Sequence, residues 1–218
     1  MLATSFYNRP PLTVAKELLG KVMRVKSQGL WLSVLIIETE AYELAEKGSH
    51  SSLGFTEKRK ALFMPAGTIY MYYARGKDSF NVSCQGEGNA VLFKSGIPYE
   101  GVLEYDRMIE HMQSLNPVQN TGQIRHPKKL CSGQTLLCQS LNLKVPAWDK
   151  KTFHPDQFLI EDVGYCPAKV IQTTRLGIPK GRDEHLLYRF IDYDYVQHCT
   201  SNPLTKRVVP EYQIVDTF

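Results

Sequence analysis

The stretch Trp31-Leu32-Ser33-Val34-Leu35-Ile36-Ile37-Glu38-Thr39-Glu40-Ala41-Tyr42 is the most informative part of the chain. Its first seven residues predict a buried strand because almost all of them are apolar. Glu38, Glu40 and Tyr42 should then share one side of the extended chain, since side chains alternate along a strand. The pattern predicts a core strand that ends in an acidic and aromatic face. Glu40 is the better candidate for chemistry, because Glu38 lies nearer the core.

A second aromatic strand is predicted at Ile69-Tyr70-Met71-Tyr72-Tyr73, where Tyr70 and Tyr72 share a face. His50 lies between the two segments, in a polar loop predicted from Glu43 to Glu57. A carboxylate, an imidazole and tyrosines could therefore line one pocket. Alternating tyrosines often form only a half-buried strand face, and Tyr70 is expected to pack structurally.

The rest of the pattern predicts short helices between antiparallel strands, which is an α+β fold in a single compact domain over residues 1–218. Helices are predicted at Pro10–Leu19, Tyr99–Leu115 and Ser132–Leu141, with Ser132 as the N-cap of the last. Further strands are predicted at 21–26, 79–84, 90–96, 159–161, 168–174 and 187–191. Arg75-Gly76-Lys77-Asp78 is predicted to be a hairpin tip, in which Gly76 supplies a positive φ.

Composition bounds the class of protein. Of the 218 residues 43% are hydrophobic, which suffices for a packed core, and no apolar run approaches the roughly 20 residues that cross a bilayer. The amino terminus lacks the pattern of a signal peptide, so an intracellular location without membrane association is expected. The five cysteines form no CxxC or Cys/His ligand spacing, so neither a metal site nor a disulfide framework is indicated.

The formal charge of +4 is compatible with a polyanionic partner but does not require one. Its distribution is more informative, because short basic clusters fall in predicted loops, although any single cluster is usually only a solvated surface. These clusters are Lys58-Arg59-Lys60, Arg75-Gly76-Lys77, Arg125-His126-Pro127-Lys128-Lys129 and Lys180-Gly181-Arg182.

An ordered set of short motifs covers most of the chain. They are Leu18-Leu19-Gly20-Lys21, Ile37-Glu38-Thr39-Glu40-Ala41-Tyr42, His50-Ser51, Pro65-Ala66-Gly67-Thr68-Ile69-Tyr70-Met71-Tyr72, Asn81-Val82-Ser83, Gln85-Gly86-Glu87-Gly88, Leu130-Cys131-Ser132-Gly133, Arg175-Leu176-Gly177 and Arg189-Phe190. Each motif is weak alone, but the ordered set resembles the alkyladenine (3-methyladenine) DNA glycosylases, a single-domain family of base-excision repair enzymes.

The resemblance implies a curved antiparallel sheet and a pocket that receives a purine nucleotide flipped out of duplex DNA. Glu40 matches the family's catalytic glutamate, which activates a water to attack C1′. Asn81 matches the asparagine that screens out normal guanine, and Leu176 falls where a backbone carbonyl helps to hold the water. The residues that match those enclosing the flipped base are Tyr42, His50 and Tyr72.

The chain departs from the family pattern at the hairpin tip, where Arg75 stands in place of an aromatic wedge that fills the gap left by the nucleotide. Arg75 is expected to occupy the gap as a weaker plug, with Tyr73 as a possible substitute. Lys94 stands where the family usually has an arginine near the phosphate and the catalytic water. Leu136 replaces a lysine that is common in relatives.

The sequence therefore predicts a monofunctional, monomeric hydrolase that excises alkylated or deaminated purines from double-stranded DNA. Neither a metal nor another cofactor is implied, and no lyase activity is expected because no residue aligns as a Schiff-base lysine. The expected location is the cytoplasm or nucleoid of a bacterium, or the nucleus of a eukaryote. Two alternatives stay open: a non-catalytic protein that binds damaged bases, and an unrelated small-ligand hydrolase or transferase on a similar fold.

Overall fold

The computed structural model describes residues 1–207 and 210–217. Within these residues nine strands form one sheet, in which every strand pair is antiparallel. The strands are β1 (Val22–Ser27), β2 (Leu30–Tyr42), β3 (Ile69–Ala74), β4 (Lys77–Ser83), β5 (Ala90–Pro98), β6 (Phe158–Glu161), β7 (Lys169–Thr173), β8 (Arg189–Asp192) and β9 (Tyr212–Asp216). The helices are α1 (Thr4–Tyr7), α2 (Pro11–Glu17), α3 (Tyr105–Leu115), α4 (Gln134–Ser140) and α5 (Val145–Trp148).

Strand β2 is the centre of the sheet, whose main order is β3-β4-β5-β2-β8-β7-β9. On one side β2 pairs with β5, and on the other it pairs first with β1 and then with β8. The hydrophobic half of β2 is buried between these neighbours, as the apolar run predicts. The α+β class with an antiparallel sheet is thereby confirmed.

Two compensating β-bulges interrupt the pairing of β2 with β5 where the carboxylates begin. The register makes Ile37 an extra residue in β2 and Lys94 an extra residue in β5, and Glu38 lies between them opposite Ser95. A bulge bends a strand and turns a side chain in a new direction. The irregularity therefore lies at the point where buried polar side chains replace the apolar core.

The main apolar core lies against helices α2, α3 and α4, and the two carboxylates at the end of β2 lie on the opposite face of the sheet. The side chain of Thr39 faces the helices, because its hydroxyl donates a hydrogen bond of 2.7 Å to the carbonyl of Ala15 in α2. Glu38 and Glu40, on the other side of the strand, bond to residues of β5, β8 and the later loops. The predicted alternation along β2 therefore holds for these three residues.

Two predicted helix starts are wrong. Helix α3 begins at Tyr105 instead of Tyr99, because β5 continues to Pro98 and the N–H of Tyr99 still donates to the carbonyl of Ser33. Helix α4 begins at Gln134, and the Ser132 hydroxyl donates to the carbonyl of His198 over 2.8 Å instead of capping the helix.

Strand β9 and the short helices α1 and α5 were not predicted. The two helices contain only four residues each, too few for a helical period to show. In the part of the chain that the structure describes, no helix has both the length and the apolar character to cross a membrane.

Candidate active site

Glu40 is completely buried at the end of β2 and is held by three polar groups. The hydroxyl of Tyr42 donates to Oε2 of Glu40 over 2.7 Å. The N–H of Leu176 lies 3.3 Å from the other carboxylate oxygen, and Nζ of Lys94 lies 3.3 Å from that same oxygen. Both oxygens of the carboxylate therefore have donors from different elements of the fold.

These contacts decide the charge of Glu40. Burial alone would raise the pKa of its carboxyl group, because desolvation disfavours the charged form. The positive charge of Lys94 and the Tyr42 hydroxyl, with smaller contributions from Arg189 and the Leu176 N–H, reverse this effect and lower the pKa below its ordinary value. Glu40 is therefore an ionised carboxylate at neutral pH, a form that can accept a proton.

A cavity of about 990 Å³ lies next to this carboxylate. The predicted site residues that line it are Tyr42, His50, Tyr72, Arg75, Asn81, Lys94 and Leu176. Glu40 itself does not line the cavity, but Tyr42, Lys94 and Leu176 contact both the carboxylate and the cavity. The structure thus brings the predicted residues together, with Glu40 directly behind the cavity wall.

Three aromatic rings form one wall of the cavity. The imidazole of His50 meets Tyr72 edge-on, with ring centroids 4.5 Å apart, and Tyr72 stacks on Tyr70 at 5.5 Å. Nδ1 of His50 lies 3.2 Å from the hydroxyl of Tyr70. Tyr70 therefore packs in the core as predicted, but it also lines the cavity.

His50 is held in its neutral form. Partial burial lowers the pKa of its imidazole, and the nearby positive charges of Arg59 and Arg182 lower it further. Burial also raises the pKa of the Tyr72 hydroxyl, which therefore keeps its proton. The aromatic wall therefore carries no charge of its own at neutral pH.

Asn81 and Arg75 occupy opposite ends of the β3–β4 hairpin. Asn81 is buried, and its amide donates to the carbonyl of Tyr70 over 3.2 Å. Arg75 and Gly76 form the two-residue turn, both with positive φ (51° and 77°), and Lys77 already belongs to β4. The predicted tip is therefore confirmed in a tighter form, and it places the exposed Arg75 at the mouth of the cavity.

Sequence patterns did not identify Arg175 and Glu46 as part of this site. They form a bidentate buried ion pair that ties the loop carrying His50 to the loop carrying Leu176. The guanidinium of Arg175 also lies 4.6 Å from the ring centroid of Tyr42 and donates to the carbonyl of Ala41. The only sequence signal was the Arg175-Leu176-Gly177 motif.

Glu38 has a structural environment, as its position nearer the core predicted. Its carboxylate accepts a hydrogen bond from Nε of Arg189 over 2.7 Å, from the N–H of Thr200 over 2.8 Å and from the Ser95 hydroxyl. Arg189 in turn donates to the carbonyl of Ser201. This buried pair fastens the segment after residue 198 to the centre of the sheet.

An antiparallel sheet with an aromatic cavity, a buried carboxylate behind it and basic side chains at its mouth has the features of a DNA glycosylase. The model of the methylpurine-DNA glycosylase (MPG) family matches residues 5–195, and the chain belongs to this family.

Individual relatives agree with this membership. The chain is 58% identical over 205 residues to a protein of Pseudomonas syringae pv. tomato, provisionally named 3-methyladenine DNA glycosylase, and the match covers 94% of this chain and 92% of that protein. A protein of Pseudomonas aeruginosa PAO1 with the same provisional name is 57% identical, and the match covers 94% of this chain and 85% of that protein. The DNA-3-methyladenine glycosylase of Mus musculus is 34% identical, and the match covers 81% of this chain and 54% of that protein.

Proposed function

We propose that this chain is a monofunctional DNA glycosylase that takes a damaged purine nucleotide into the cavity and releases the base by hydrolysis. Membership of the family makes it a hydrolase of the DNA N-glycosylase class. The single observation that carries the mechanism is the carboxylate of Glu40, buried behind the wall of an aromatic cavity of about 990 Å³ and held by Tyr42 and Lys94.

In the proposed reaction a water molecule attacks C1′ of the deoxyribose as the bond from C1′ to the purine nitrogen breaks. Glu40 accepts a proton from this water, and its negative charge stabilises the cationic sugar that develops in the transition state. The bond electrons leave with the base, which for a purine alkylated at N3 or N7 cancels its positive charge. An uncharged deaminated purine leaves as an anion that takes up one proton, which balances the proton that Glu40 received from the water. The products are the free base and an abasic site.

The cavity wall supports recognition of a flat, electron-poor base. Tyr42, His50 and Tyr72 present aromatic surface, and stacking with cation–π attraction contributes about 0.5–2 kcal/mol per ring. Because His50 and the tyrosines are uncharged, a cationic base meets no repulsion from this wall. Asn81 would screen out normal guanine, and the Leu176 backbone would help to position the water.

The proposed substrate is double-stranded DNA containing alkylated or deaminated purines, bound by a monomer. Flipping a nucleotide costs a few kcal/mol and costs least at damaged or mismatched pairs, which favours lesions before any contact with the cavity. Lys94 would hold the phosphate or the water beside Glu40 by charge, without the bidentate geometry of an arginine. No lyase step follows, so the abasic site is the final product.

A second candidate is a non-catalytic protein that binds damaged bases, and Arg75 at the hairpin tip and Lys94 beside Glu40 favour it. The two candidates separate in one experiment, in which release of free purine from alkylated duplex DNA is measured for the wild type and Glu40→Gln. The enzyme predicts release by the wild type and a loss on the order of 10²–10⁴ in rate for the variant. Wild-type protein that binds this DNA but releases no base would support the sensor.

A further inference from the structure

Three large side chains next to the cavity are exposed to solvent: Tyr73 in β3, which is 57% exposed, and two apolar residues of the loop after His50. Leu53 is 59% exposed and lines the cavity, and Phe55 two residues later is 56% exposed. Large apolar side chains exposed together beside a pocket mark an interaction surface. We call residues 51–55 the apolar loop.

The apolar loop is fixed in place by hydrogen bonds. A turn of 3-10 helix from Ser51 to Leu53 follows His50 directly, and the N–H of Leu53 donates to the His50 carbonyl. The guanidinium of Arg59 donates to the carbonyl of Leu53 over 3.1 Å and also to that of Gly54. The two apolar side chains are therefore presented by an ordered backbone joined to a cavity residue.

Phe55 is also oriented by packing. Its ring meets the ring of Phe63 edge-on, with centroids 5.5 Å apart, so one edge is supported and more than half of the side chain stays exposed. Gly54 has a φ of +80°, which a side chain would strain, and this turn separates Leu53 from Phe55. The loop thus has a defined shape before any partner binds.

The charges around the apolar loop favour a polyanionic partner. Lys58 is exposed just after the loop, Lys60 lies 3.8 Å from Glu57, and the basic residues Arg75, Lys77 and Arg182 line the same cavity. A partner that combines negative charge with flat apolar surface is nucleic acid, in which phosphates flank stacked bases. The loop is continuous with the proposed nucleotide cavity, so the same DNA molecule can reach both.

We propose that Leu53 and Phe55 contact the base stack beside the flipped nucleotide and supply the apolar part of the insertion into duplex DNA. The inference rests on the proposed glycosylase function. At the hairpin, Arg75 carries charge but little apolar surface and Tyr73 supplies one aromatic ring, and large apolar side chains are the usual wedges between base steps. The apolar loop supplies such side chains from another part of the cavity mouth.

The test compares Leu53→Ala, Phe55→Ala and the double variant on methylated duplex DNA and on the same DNA in single-stranded form. For the double variant, kcat/KM on the duplex is expected to fall on the order of tenfold, which is the effect of losing one base contact. Its kcat/KM on single-stranded DNA is expected to stay nearly the same as that of the wild type. The matched control is Ile124→Ala, which removes a 76% exposed side chain that does not line the cavity.

A second measurement follows insertion itself, through the fluorescence of 2-aminopurine placed next to the damaged nucleotide. Wild-type protein is expected to raise this fluorescence by unstacking the probe, and the double variant is expected to raise it less. Equal duplex activity and equal fluorescence for the wild type and the double variant would overturn the inference while base release by the wild type still upheld the glycosylase. Absence of base release by the wild type would instead overturn the proposed function.

Discussion

The hydroxyl of Tyr42 donates a hydrogen bond of 2.7 Å to Oε2 of Glu40, two residues earlier on the same strand. A side chain proposed to stack on the base therefore also holds the carboxylate proposed to activate the water. Burial and the negative charge of Glu40 raise the pKa of Tyr42 well above its ordinary value, so the phenol keeps its proton and remains a donor. In the proposed function, contact with the base and charge on the carboxylate are therefore coupled through this one residue.

Tyr42→Phe is expected to keep the ring and remove the donor. A hydrogen bond to a charged group contributes about 1.5–3 kcal/mol, so kcat should fall on the order of 10- to 100-fold with little change in KM. The acid limb of the pH–rate profile should also move to higher pH, because Glu40 loses a partner that lowers its pKa. Tyr188→Phe is the control, since that hydroxyl donates to Glu43; an equal loss in both variants would contradict the prediction.

Lys94→Gln should move the acid limb of kcat/KM to higher pH. Burial raises the pKa of Glu40 and the charge of Lys94 is the main influence that lowers it, so removal of that charge leaves the carboxyl easier to protonate. Wild-type activity is expected to stay level above the ordinary carboxyl value of 4.5 and to fall only below it. Lys94→Arg keeps the charge and should retain the wild-type profile; a profile unchanged in Lys94→Gln would rule out this role.

The lowered pKa of Glu40 also predicts how this residue contributes to the free energy of unfolding. Because its folded pKa lies below the unfolded value near 4.5, the contribution is fully present above that value and is lost as the pH falls through the folded pKa. Over the range from acidic to neutral pH, wild-type protein and Glu40→Gln should therefore differ in the pH dependence of unfolding only in this acidic window. Urea melts at a series of pH values measure it, and a difference confined to alkaline pH would contradict the assignment.

Glu38→Ala should weaken the fold instead of the chemistry. It leaves the buried guanidinium of Arg189 without its carboxylate, and breaking a buried pair in this way costs about 3–5 kcal/mol of unfolding free energy. Glu17→Ala breaks the exposed pair with Arg9 and should cost no more than about 1 kcal/mol. Denaturant unfolding of both variants gives the comparison, and similar losses would show that burial does not distinguish the two pairs.

Arg75→Asn tests the proposed plug without disturbing the turn. Asparagine accepts the positive φ at this position better than most residues, so the hairpin should persist while the guanidinium is lost. Excision from duplex DNA is expected to fall about threefold to tenfold, as for a lost stacking contact. Lys77→Gln is the matched neighbouring variant. It should weaken binding to any DNA, and the slope of binding against salt concentration should fall by the amount expected for about one lost phosphate contact. Unchanged flipping and excision in Arg75→Asn would remove this role from Arg75.

Much of the fold could be predicted from local sequence, because its strands carry their own signals. The apolar run of β2 and its polar end predicted both the central strand and the position of Glu40, and Gly76 predicted the hairpin turn. Helix starts were less predictable. Tyr99 fits a helical pattern, but pairing of the chain with Ser33 keeps it extended, and that contact is not visible in a local window.

The candidate site was predictable only where one segment supplied the signal. Tyr42 and Glu40 lie on one strand, so their shared face followed from the period of two. The pair of Arg175 with Glu46 joins residues 129 positions apart, and the contact of Leu176 with Glu40 spans 136. Such contacts depend on how β7 and β8 pack beside β2, and no local pattern encodes that arrangement.

Residues 199–201 are hydrogen-bonded to Glu38 and Arg189, and this sets a lower limit on the length of a chain that can fold with an intact site. The family match stops at residue 195, yet the N–H of Thr200 and the carbonyl of Ser201 complete the hydrogen bonds of that buried pair, and Thr200 also lines the cavity. A chain cut at the end of the match would leave charged groups in the sheet facing open space. The unit that must be kept in any shortened or fused version therefore extends at least to Ser201.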